Sequence, residues 1–139
     1  MWIVLKYKKK NLNLLKKNLI DKIDSNIKFY IPKIKFKKKE KYCEYNVLNN
    51  YAFCFSDKFK DKTNLLRIQY LQGLENCLFG FIRDQLQIND FVNFCKKNES
   101  LNGGLSNNFF LNLKISKAKF LNGPFANLIF DILERNKKQ

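Results

Sequence analysis

The sequence predicts an α+β fold, a small antiparallel sheet of about four strands packed with helices, on three observations. Residues 47–55 end in Tyr51, Phe53 and Phe55 alternating with Ala52 and Cys54, so a period of two puts three rings on one face of a strand and small side chains on the other. Leu12, Leu15, Leu19 and Ile23, and again Ile88, Phe91, Val92 and Cys95, recur at spacings of three and four, the period of an amphipathic helix. The elements then follow one another as strand, helix, strand, strand, helix, strand, helix, an order that lays helices on a sheet.

The first strand is Trp2 to Tyr7, a short apolar run buried on at least one face and ended by Lys8, Lys9 and Lys10. The first helix follows over about four turns, with Lys16, Lys17 and Lys22 off its apolar line. A second strand is expected over residues 27–36; Pro32 has no N–H for a ladder and places it at an edge or a bulge. Residues 37–41, four lysines and Glu40, make an exposed hairpin tip leading into a central strand over residues 47–55. That strand's rings need a cover, either the protein's own helices or a partner. Thr63 can cap a helix that Gly73 ends, residues 73–80 turn into another strand, and the second amphipathic helix closes at Lys96, Lys97 and Asn98. Gly103 and Gly104 mark a loop. In the last stretch Leu128, Ile129, Ile132 and Leu133 recur at helical spacing, which predicts a helical or frayed tail.

A chain of 139 residues, 45% of them hydrophobic, buries one modest core, so one domain with an appendage is expected. The net charge is +15, and residues 1–62 hold 17 lysines against six acids. Such a field attracts polyanions, although an AT-biased genome enriches Lys, Asn, Ile and Phe by codon usage alone. The lysines around the first helix, Lys8, Lys10, Lys16 and Lys17, are the candidate nucleic-acid contacts. The four cysteines form no C-x-x-C pair and the chain has no histidine, which argues against a zinc site and removes the usual general base. No phosphate loop or nucleophile elbow is present. The expectation is a protein without catalytic residues or cofactor, soluble and cytoplasmic, with no segment long enough to cross a bilayer.

Five stretches in order resemble the NusG/RfaH family of transcription elongation factors. Trp2-Ile3-Val4-Leu5 resembles the family's opening W-Y-V-x strand, and Ile31-Pro32-Lys33-Ile34 its proline-containing second strand. Leu48-Asn49-Asn50-Tyr51-Ala52-Phe53 is similar to F-P-[GN]-Y-x-F, and residues 73–80 to G-V-x-x-F-x-G. Asn122-Gly123-Pro124-Phe125-Ala126-Asn127 resembles the turn that opens the family's KOW barrel. The sequence departs from the pattern at Ile3, in place of Tyr, and at Asn49, in place of Pro.

The resemblance implies an amino-terminal (NGN) domain over residues 1–113, followed by a linker and incomplete KOW-like segment over 114–139. It implies a monomer that binds the clamp helices of the RNA polymerase β′ subunit, bridges toward the β subunit, and suppresses pausing. The apolar contacts it implies are Trp2, Leu48 and Tyr51, with Phe53 on the same strand; Lys8 and Lys10 would lie near upstream or non-template DNA. The alternative is an RRM-like domain binding single-stranded RNA, since Tyr51-Ala52-Phe53 also fits the middle of an RNP1 motif.

Overall fold

The computed structural model describes residues 1–116 and 123–137. Among them are six strands and five α-helices: β1 Trp2–Tyr7, α1 Leu12–Lys22, β2 Lys28–Tyr30, β3 Lys33–Lys38, β4 Lys41–Asn46, β5 Tyr51–Phe55, α2 Lys62–Ile68, β6 Leu74–Cys77, α3 Gln85–Lys97, α4 Asn107–Ser116 and α5 Pro124–Lys137. The α+β class holds. The chain divides into two compact units, Met1–Ile31 with Asn50–Gln85, and Pro32–Asn49 with Leu86–Gln139.

The first unit is built on an antiparallel sheet of order β2-β5-β1-β6. Read along this unit the elements run β, α, β, β, α, β, with the third and first strands in the middle of the sheet, the split βαβ arrangement. β1 is apolar almost throughout, and Trp2 to Leu5 and Tyr7 are all buried. Ile3, Leu5 and Tyr7 join Ala52, Cys54 and Cys77 in a cluster with Leu15, Leu19 and Ile23 of the first helix region and Ile68 of α2. The helices thus cover the small-residue face of β5, which leaves them room to approach the sheet. Ser56 closes the end of β5: its hydroxyl donates to Asp24 and accepts from the Lys58 N–H, so this buried side chain is satisfied.

Gly73 lies in the turn just before β6 rather than ending α2, which stops at Ile68. Its φ is +93°, and a Cβ there would stand 2.7 Å from the Asn11 carbonyl oxygen and 3.1 Å from Leu15 Cβ; only glycine lets the strand begin this close to α1. The cap of α2 is Asp61, whose carboxylate accepts from the Thr63 N–H, two residues before the Thr63 cap expected.

The second unit holds the β3–β4 hairpin, most of α3, and α4 and α5. The single strand expected over 27–36 is two strands in two sheets, because Pro32 interrupts the ladder between Tyr30 and Lys33. The central strand starts at Tyr51, later than expected: 47–50 form a turn in which Asn49 has φ +54°, a left-handed conformation that Asn tolerates. The core gathers Ile88, Phe91, Val92 and Cys95 of α3 with Phe109 and Leu113 of α4 and Phe125, Ala126, Ile129, Ile132 and Leu133 of α5, all buried. Phe91 meets Phe125 edge to face at 6.0 Å, and Asn136 donates to the Val47 carbonyl at 2.6 Å.

The final segment is therefore helical, as its spacing predicts. It belongs to the second unit, where Phe125 meets Phe91 of α3. No strand occurs in it among the described residues. Residues 117–122, which include the linker and the Asn122 that opens the resembled turn, lie outside the described residues.

Candidate functional site

Register assigns the aromatic residues of the first unit to one face. The cross-strand pairs Trp2 with Phe55, Val4 with Phe53 and Lys6 with Tyr51 lie on the same side of the sheet, opposite the side that α1 covers. Tyr30 of β2, paired with Phe53, extends this face toward the edge. Trp2 packs edge to face on Phe55 with ring centroids 5.2 Å apart, a favourable geometry for two quadrupoles. The Lys6 ammonium lies 5.8 Å from the Tyr51 ring centroid and 3.4 Å from a Glu75 carboxylate oxygen.

Accessibility divides the four expected polymerase contacts. Tyr51 is half-buried and Trp2 is at the margin of burial, but Phe53 is 0% and Leu48 1% exposed. Phe53 and Leu48 are therefore enclosed in this structure, while Tyr51 keeps part of its ring accessible. The reason lies beyond the period of two: alternation fixes a side chain's face, and burial depends on what tertiary structure puts against that face.

The four candidate lysines lie on one connection and one helix. Lys8 and Lys10 are exposed between β1 and α1, where the Lys8 N–H extends the ladder by donating to the Gly73 carbonyl at 2.8 Å. Lys17 is exposed on α1, whereas Lys16 is half-buried with its ammonium 5.6 Å from the Phe29 ring centroid. Three of the four thus present charge freely to a polyanion, and Lys16 is drawn over the Phe29 ring on the side that α1 covers.

Sequence reasoning read the lysines of the β3–β4 tip and missed the rings among them. Phe36, Tyr42 and Tyr45 are 44%, 83% and 43% exposed, and the Lys37 ammonium lies 5.7 Å from the Tyr42 ring centroid. The available signal was the interleaving of aromatics with lysine over residues 33–45.

The cysteines are free thiols, with Cys54, Cys77 and Cys95 buried. Burial pushes the Cys54 thiol well above its ordinary pKa and that of Cys77 up to about 12, which suits packing and not nucleophilic chemistry. Among the described residues no group of three or more Cys, Asp or Glu is placed to hold a metal ion, and no helix is long and apolar enough to cross a membrane.

No protein-family model matches the chain, and no curated protein matches it.

Proposed function

We propose that the chain is a transcription elongation or antitermination factor of the NusG/RfaH type, which binds the β′ clamp helices of RNA polymerase in the cytoplasm and favours processive elongation. The observation that carries this reading is the placement of three of the five resembling stretches. Trp2 to Leu5 lie on β1, Tyr51 to Phe53 on β5, and Leu74 to Cys77 on β6, three neighbouring strands of one sheet. With Leu48 and Phe53 enclosed, the contact rests on Tyr51, supported by Trp2 and Phe55 on the same face. The chain acts by binding: it closes the clamp from β′ toward β and carries no reaction of its own. Lys8, Lys10 and Lys17 contribute sequence-tolerant contacts to upstream or non-template DNA.

The test is capture of the intact chain by an isolated β′ clamp-helix coiled coil. Binding is expected, and Tyr51→Ala should weaken it by about 2 kcal/mol, the usual cost of losing an aromatic anchor. Failure of the intact chain to bind the coiled coil overturns the proposal.

A further inference from the structure

The β3–β4 hairpin of the second unit is a two-stranded ribbon whose charge and aromatic surface are both concentrated in its outer half. At its base Glu44 neutralises its neighbours, lying 3.1 Å from the Lys33 ammonium and 3.9 Å from that of Lys35. Lys35 is further held by the Asn102 carbonyl at 2.9 Å. Gly104 packs so closely on β3 that a Cβ would stand 2.8 Å from the Lys35 nitrogen, and the Leu105 N–H donates to the Lys33 carbonyl at 2.7 Å. The base is therefore anchored within its own unit.

The outer half is different. Lys37, Lys38, Lys39 and Lys41 stand there against the single acid Glu40, and all five are exposed. Register puts Lys37 opposite Tyr42 on one face, and Phe36 opposite Cys43 beside the Lys38 and Lys41 pair on the other. Each face thus combines an exposed ring with ammonium groups. Tyr42 is largely exposed and Phe36 partly so, which leaves ring surface on which an apolar face can stack. Like charges directly opposite, as in Lys38 and Lys41, are destabilising until an anion lies between them.

We infer that this ribbon binds single-stranded nucleic acid, with phosphates on the tip lysines and a base stacked on Tyr42. Charge selects a polyanion, and the ring selects an unpaired strand, since bases within a duplex are already stacked and every unpaired base offers a π-face. At about 3.3 Å per residue the six-residue strands give a ribbon on the order of 20 Å long, enough for a few nucleotides and too short for sequence readout. The inference rests on the second unit alone and does not depend on the polymerase proposal.

The experiment is fluorescence anisotropy of the full chain with a labelled oligo-dT and with a duplex of the same length, across a salt series. Oligo-dT is expected to bind more tightly than the duplex. Tyr42→Ala should weaken oligo-dT binding at least fivefold, with Tyr42→Phe retaining it, because the ring and not the hydroxyl is used. Replacing Lys37 and Lys38 by Ala should lower the log–log salt slope by about 1.4, at roughly 0.7 per single-strand contact. Equal binding of Tyr42→Ala, preference for the duplex, or loss only in Lys8 and Lys10 variants overturns the inference. So does binding to vesicles of anionic lipid without binding to oligo-dT. A thermal melt of each variant separates loss of the site from loss of the fold, and coiled-coil capture of Tyr42→Ala reads the polymerase proposal separately.

Discussion

The side-chain amide of Gln85 hydrogen-bonds both main-chain groups of Trp2, accepting from its N–H at 2.6 Å and donating to its carbonyl at 2.7 Å. β6 pairs with β1 from Leu5 onward, and the Leu78 N–H donates to the Val4 carbonyl at 2.9 Å. Gln85 adds bonds to both main-chain groups of Trp2 beyond this ladder, and donates to the Ile82 carbonyl at 2.8 Å as well.

Gln85→Leu should therefore destabilise the protein by about 2 kcal/mol, at roughly 1 kcal/mol for each of the two bonds to Trp2. Gln85→Glu keeps the acceptor and loses the donor, so its loss should fall between wild type and Leu. Urea unfolding measures both as a lower midpoint at unchanged slope. Equal stability of wild type and Leu would show that water replaces the amide at no cost.

Gly73→Ala combines a backbone at φ +93° with a contact of 2.7 Å to the Asn11 oxygen. A loss of about 2 kcal/mol is expected, within the range for a strained position. Gly123 also has positive φ but meets nothing within 4 Å; Gly123→Ala should cost less, and the difference in melting midpoint checks the steric part.

Phe53→Ala and Leu48→Ala should each cost about 3 kcal/mol or more through cavity formation, while Tyr51→Ala should cost about 1 kcal/mol or less because the ring is half-buried. Denaturation midpoints rank the three. This ranking decides how capture experiments are read: weakened polymerase binding in the first two reports the fold, and in Tyr51→Ala it reports the contact.

The thiols make stability fall in alkali. Cys54 and Cys77 have folded pKa values raised above the ordinary thiol value near 9.0, that of Cys77 to about 12. Below pH 9 both states hold these protons and the thiols leave stability unchanged. Above it the unfolded chain releases them and the folded chain does not, so stability declines as pH rises from about 9 to about 12, with a limiting slope near 1.4 kcal/mol per pH unit for each thiol. Denaturation midpoints at pH 8 and 10 should differ, and the difference should shrink in Cys54→Ala. A thiol reagent at pH 8 should modify Cys43, which is partly accessible, well before the three buried cysteines.

The sequence by itself determined what depends on neighbours within a turn or a strand. The periods of α1, α3 and α5 and the alternation in β5 are local, since three or four residues fix which side chains share a face. The α+β class followed from the order of those segments. Only the tertiary structure decided which face of β5 the helices would cover: α1 took the Ala52 and Cys54 side, where small side chains admit a helix. It also decided that Pro32 would part β2 from β3 into separate sheets, that α5 would enter a core with Phe91, and that Phe53 and Leu48 would be enclosed. Those outcomes depend on partners far along the chain, as the sequence separation of 83 between Trp2 and Gln85 illustrates. Burial and ladder completion are properties of what meets a segment, and a segment's own composition does not contain them.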